Sequence, residues 1–201
     1  MDYFNLKFDN GKLTFINQTK LPIVEEYVTT ESYERIAEAI EKLEIRGAPA
    51  IGIAAGYALA LSIKNNINDF NNAYNRLLRT RPTAINLFFA LNYLKNYFET
   101  SKGNQNYSSL LNKAIEIHND DISQCEAIAR NGAKLFNSGS KILTHCNTGL
   151  LATGGIGTAF GIIHEMYKQN KLDFVYACEA RPLFQGLRLT SFELSRVGIS
   201  Y

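Results

Sequence analysis

Lys141-Ile-Leu-Thr-His-Cys-Asn-Thr-Gly-Leu-Leu-Ala-Thr-Gly-Gly-Ile-Gly-Thr-Ala-Phe-Gly-Ile-Ile-His-Glu-Met-Tyr167 is the stretch that decides the fold. Lys141 to Cys146 is short and apolar, as a buried strand is. A loop rich in glycine follows, and from Gly155 the apolar residues recur at helical spacing to about Tyr167. A second strand pattern runs from Phe174 to Cys178, so the order is β-α-β and the two strands should be parallel. Ligands of such sheets bind at the carboxyl ends of the strands, beside helix amino termini with unpaired N–H groups. Cys146 is therefore expected at the edge of a site.

Upstream, Asn137-Ser-Gly-Ser140 is rich in turn residues and marks the expected boundary between a domain of residues 1–137 and one of 138–201. The first domain opens with alternation from Tyr3 to Ile16 around Asp9-Asn10-Gly11, which is hairpin chemistry because Asn and Gly tolerate positive φ. Thr30 is the expected N-cap of a helix carrying Tyr33, Ile36, Ala37, Ile40 and Leu43. Gly47 to Ile63 is apolar on nearly every face, which predicts a buried helix whose small residues let neighbours approach closely. It is shorter than the roughly 20 apolar residues a bilayer needs, so no membrane span is expected.

Arg79-Thr80-Arg81-Pro82-Thr83 should open a further helix with Pro82 in its first turn. After a polar loop from Ser101 to Ser109, a long helical stripe runs to about Phe136, with His118 and Cys125 read as packing residues. Past Arg181-Pro-Leu-Phe-Gln-Gly-Leu-Arg188, a last helical pattern (Thr190, Phe192, Leu194, Val197) leads to Tyr201. Two strands do not make a covered parallel sheet, so the second domain is expected to be unfinished.

Composition narrows the function classes. The net charge of +2 over 201 residues comes without any block of Lys or Arg, so neither nucleic acid nor a membrane surface is implied as partner. An anionic small molecule is compatible. The 3 cysteines are widely spaced, without a CxxC pair, which argues against a disulfide framework or a zinc site and for a reducing, cytoplasmic setting. The residues from Met1 to Lys7 lack the basic-then-apolar pattern of a secretory leader.

Cys146 is the sharpest chemical candidate, since a thiol beside a helix amino terminus can serve as acid, base or nucleophile. The competing reading is a buried structural thiol. His145, if on the strand with it, points to the opposite face and is expected to pack or hydrogen-bond behind it. Gly155-x-Gly157 is half of a dinucleotide fingerprint, with Glu179 near the place of a ribose-binding acid. The third glycine position is Phe160, which argues against a nicotinamide cofactor. Arg46, Arg81, Arg181 and Arg188 all border turns, where guanidinium groups and loop N–H groups together suit phosphate. Gln185 could bind hydroxyls or cap its turn.

Taken together, Ile45-Arg-Gly-Ala-Pro-Ala-Ile-Gly-Ile-Ala-Ala55, Arg81-Pro-Thr-Ala-Ile-Asn-Leu87, Asp120-Asp-Ile-Ser-Gln-Cys125, Thr144-His-Cys-Asn-Thr-Gly-Leu-Leu-Ala-Thr153 and Glu179-Ala-Arg-Pro-Leu-Phe-Gln-Gly-Leu-Arg-Leu-Thr190 resemble the methylthioribose-1-phosphate isomerase family. The wider superfamily includes regulatory subunits of a translation initiation factor's exchange factor and isomerases of related pentose phosphates. The resemblance implies an α/β fold: a small β-hairpin plus a mainly helical N-terminal domain, then the first part of a Rossmann-like parallel-sheet domain. It also implies a homodimer without a cofactor, aldose-ketose isomerisation of 5-methylthioribose 1-phosphate in methionine salvage, and Cys146 as one of two catalytic residues. Arg46, Gly47, Ala48, Arg81 and Gln185 would contact the sugar phosphate. The second catalytic residue, an aspartate, and an Asn-Lys pair of the phosphate site would follow Tyr201, so the chain alone should be inactive. Ala180 stands where the family has threonine, which bears on the hydrogen bonding of that turn.

Overall fold

The computed structural model describes residues 2–101, 103 and 105–201; Met1, and Lys102 and Asn104 of the polar loop, lie outside the described residues. β1 (Leu6–Asp9) and β2 (Lys12–Ile16) form the expected hairpin, with Asp9 paired to Lys12. Its turn has φ of 50° at Asn10 and 72° at Gly11, the left-handed pair that matches the twist of the strands. β3 (Tyr27–Thr30) adds an antiparallel third strand along β2. Thr30 thus belongs to a strand. The N-cap of α1 (Tyr33–Glu41) is Ser32, whose side chain accepts from the Arg35 N–H, while Thr30 Oγ1 accepts from the Ser32 N–H.

α2 (Ala48–Ser62) is buried along nearly its whole length. α3 (Phe70–Leu78), α4 (Ile85–Thr100) and α5 (Tyr107–Gly132) pack around it and close a core that includes Ile36, Ile53, Leu59, Leu77, Leu91 and Leu94. A Cβ on Gly52 would lie 2.7 Å from the Asn86 carbonyl oxygen, so only glycine lets α4 come this close to α2. Pro82 does not enter the first turn of α4. It sits in a separate turn closed by the Ala84 N–H on the Arg81 carbonyl, and Ala84 is the N-cap. No helix among the described residues is long and apolar enough to cross a membrane.

β4 (Ser140–His145) pairs in parallel with β5 (Leu172–Cys178) through α6 (Ala159–Lys168), with Ile142 opposite Val175. α6 starts later than the periodicity suggests because Gly149 and Gly157 form an antiparallel bridge and Gly157 holds a φ of 96°. A π-helical turn (Gly186–Thr190) leads into α7 (Ser191–Arg196). α6 and α7 cover one sheet face, where Phe160, Ile163, Val175, Leu194 and Ile199 are buried together. On the other face Leu143 is 70% exposed and Tyr176 52%. The fold class is α/β as expected, a small sheet and helices followed by parallel strands of Rossmann type. A separate cluster of Tyr3, Ile16, Leu21, Leu151, Leu189 and Phe192 fastens the hairpin to the last helix.

Candidate functional site

Cys146 is the first residue after β4 and has a φ of 64°, a left-handed conformation that a non-glycine residue adopts only when its surroundings hold it there. Two residues at the start of α7 supply part of the hold. Thr190 Oγ1 donates to the Cys146 carbonyl at 2.6 Å, and Glu193 accepts from Asn147 Nδ2 at 2.6 Å. Because Cys146 has left the strand, the alternation rule does not relate it to His145. His145 lies exposed on the open sheet face, contrary to the expectation that it packs behind the thiol.

The remaining candidates arrive from three other segments. Gly47, with φ 90°, is the N-cap of α2, and a Cβ there would lie 2.4 Å from Ala152 Cα, so glycine is required for the helix start to rest on the loop after Cys146. Ala48 and Pro49 begin α2 without any side-chain cap, which leaves first-turn N–H groups open to an anion. Gln185, with its amide oxygen turned toward Arg46, accepts from Arg46 Nη2 at 2.5 Å and donates to the Ala180 carbonyl at 2.6 Å. Arg46 is further within electrostatic reach of Arg188, Cys146 and Arg81.

These positive groups are not compensated. Arg35, Arg76 and Arg196 each pair with a carboxylate, whereas among the described residues Arg46, Arg81 and Arg188 form no ion pair. Arg188 is held by carbonyls alone, those of Leu21, Leu183, Gln18 and Thr19. Burial first, then the charges of Arg188 and Arg81, pull Arg46 below its ordinary pKa, with Cys146 acting the other way. A bound anion would relieve that repulsion. Phosphate, with several acceptor oxygens, suits guanidinium groups and open N–H groups together.

Other residues in the sequence motifs build the frame. Asp121 Oδ2 accepts from the Gly154 N–H at 2.7 Å, and His118 joins Tyr57 Oη (2.9 Å from Nδ1) to the Gly154 carbonyl (3.2 Å from Nε2). α5 thus holds both the N–H and the C=O of Gly154 in the loop after Cys146, a positioning task beyond the packing role read for His118. Glu179 accepts from the N–H groups of Ala180, Gly186 and Leu187, which closes the turn that carries Gln185 and occupies the carboxylate assigned above to a ribose. The turn is therefore hydrogen-bonded with Ala180 in place. A cleft of about 320 Å³ between α2, α4 and α5 is lined by Pro49, Phe89 and Tyr93 but also by Glu116, Asp120 and Asp121, an acidic wall unsuited to an anion. Among the described residues no group of His, Cys, Asp and Glu could hold a metal ion.

Comparison with known proteins adds four findings. The model of the initiation factor 2 subunit family matches residues 44–201. The methylthioribose-1-phosphate isomerase of Carboxydothermus hydrogenoformans is 45% identical over 201 residues, covering 94% of this chain and 58% of that protein. Among solved structures, the 5-methylthioribose 1-phosphate isomerase of Pyrococcus horikoshii superposes with a TM-score of 0.93 at 35% identity, over 98% of this chain and 58% of that one. The translation initiation factor eIF-2B subunit delta of A. fulgidus gives 0.85, also at 35% identity, over 99% and 61%. The chain spans about three-fifths of the length of these relatives.

Proposed function

Because the chain belongs to the initiation factor 2 subunit family, we propose from its cationic corner that the protein is an aldose-ketose isomerase converting 5-methylthioribose 1-phosphate to 5-methylthioribulose 1-phosphate. The observation that carries the reading is the convergence of uncompensated Arg46 and Arg81, the open start of α2 and the Cys146 thiol. In this reading Arg46, Arg81 and the N–H groups of Gly47 and Ala48 hold the phosphate, and Gln185 orients Arg46 beside a sugar hydroxyl. Phosphate on the anomeric oxygen prevents easy opening to an aldehyde, so the bond from C1 to the ring oxygen must break with acid help. The C2–H bond breaks and a C1–H bond forms, while the C2 hydroxyl gives up its proton to become the ketone. Cys146 performs or assists the transfer at carbon. Proton traffic at the ring oxygen falls to the aspartate that the resemblance places after Tyr201. No cofactor enters the scheme, and the protein acts as a cytoplasmic homodimer.

The test is ketose formation from 5-methylthioribose 1-phosphate. The 201-residue chain should bind without turnover, a chain extended to the length of its relatives should turn over, and Cys146→Ser in that longer chain should abolish activity. Turnover by the shorter chain would sink the assigned role of the aspartate. A second reading, a non-catalytic subunit that binds sugar phosphate, is supported by the likeness to the A. fulgidus protein. Saturable binding with no turnover at any length would favour it. Running 5-deoxyribose 1-phosphate and ribose 1,5-bisphosphate beside the first substrate separates isomerases of neighbouring specificity.

A further inference from the structure

Glu193 is wholly buried on α7, and no Lys or Arg forms an ion pair with it among the described residues. It is instead ringed by donors from two other segments. Tyr3 Oη donates to Oε2 at 3.0 Å and the Leu151 N–H to the same oxygen at 3.3 Å, while Asn147 Nδ2 donates to Oε1 at 2.6 Å. Arg196, the cation on the same helix, is turned outward to Asp2 and Glu25. Gly149 packs so tightly on the carboxyl that a Cβ would fall 2.3 Å from Oε1. An ionised carboxyl accepts all these bonds with charge assistance, whereas a neutral one turns one acceptor into a donor, to which only the Tyr3 hydroxyl can adapt, and holds Asn147 by a weaker neutral bond. Loss of its proton therefore changes how firmly Asn147 is held.

Asn147 is the residue after Cys146, and Thr190, which holds the Cys146 carbonyl, is three residues before Glu193 on the same face of the same turn. We propose that Glu193 is a positioning residue that transmits its own charge state to the Cys146 thiol through the side chain of Asn147. Ionised, it anchors Asn147 and with it the left-handed turn at Cys146. Neutral, it anchors them less firmly. Burial pushes the Glu193 carboxyl up to about 7, opposed by its bonds to Asn147 and Tyr3, so the two states exchange near neutral pH. The inference deepens the reading of Cys146 as the reacting thiol and rests on it for its bearing on catalysis.

The experiment is the pH profile of iodoacetamide alkylation at Cys146, followed by peptide mass spectrometry so that Cys125 and Cys178 are counted separately. Wild-type protein should show an inflection near pH 7 that Glu193→Gln lacks. Asn147→Ala, which keeps the carboxyl and removes the link, should lose the inflection too, and it decides the matter if Glu193→Gln fails to fold. A wild-type profile without the inflection, or an inflection that survives in a folded variant, overturns the proposal. Alkylation needs no turnover, so a chain extended to the length of its relatives that is inactive yet shows the inflection would refute the isomerase reading alone.

Discussion

Replacing Arg46 by methionine separates an anion-binding arginine from a structural one. Its side-chain hydrogen bond is to the neutral amide of Gln185, and its charged neighbours Arg188 and Arg81 repel it. Methionine keeps much of the stem's packing and removes a charge that the fold does not compensate, so folding stability should change by no more than about 1 kcal/mol in either direction. Binding should respond differently. A hydrogen bond to a charged group contributes about 1.5–3 kcal/mol, which corresponds to an affinity for phosphate weakened roughly tenfold to a hundredfold. At a phosphate concentration of about 100 times its Kd, the wild type gains about 2.7 kcal/mol of apparent stability; the variant at the same concentration gains about 1.4 to 0.4 kcal/mol. Urea unfolding with and without inorganic phosphate reads both quantities. A variant several kcal/mol less stable that retains the full phosphate-induced gain would refute the reasoning and return Arg46 to the framework.

Gly47→Ala should destabilise by at least about 1–3 kcal/mol, because the position is left-handed and its Cβ would overlap Ala152; thermal unfolding checks it. Asp121→Ala leaves the Gly154 N–H without its charged acceptor and should cost about 1–3 kcal/mol, measured by urea unfolding, with the loss of substrate binding tracking the loosened loop. For Glu193 the folded value of about 7 lies above the ordinary 4.5, so the folded protein holds the proton longer than the unfolded chain. Its contribution is fully present below pH 4.5 and is lost as pH rises through about 7, by up to about 3 kcal/mol. Subtracting the stability profile of Glu193→Gln from that of the wild type should expose this slope. A flat difference would remove the case for a raised carboxyl.

What the sequence alone determined was local. Asn10-Gly11 dictated the hairpin, because few other pairs accept two successive positive φ angles. The unbroken apolar run after Gly47 required burial of α2, and the alternation from period 3.6 to short apolar strands located the parallel pair. Cys146, Arg46, Gly47, Ala48, Arg81 and Gln185 were legible as a set only through the order of several motifs; no spacing within any one motif indicates that Arg46 meets Gln185. Boundaries failed where a distant contact set them. The Gly149–Gly157 bridge delayed α6, and pairing with β2 took Thr30 into a strand and passed the cap to Ser32.

Tertiary structure alone decided which polar residues frame the candidate site. Glu193 is the lone acid of the last helical pattern, between Phe192 and Leu194, yet its meaning depends on Tyr3 and Asn147, which only folding brings to it. His118 shares its helical stripe with core residues and reads as packing until Gly154 is seen between it and Asp121. Local sequence fixes φ, ψ and hydrophobic period because these depend on near neighbours. Unpaired arginines, a buried carboxyl and a strained cysteine are properties of segments far apart in the chain, and their energies exist only once the core has closed around them.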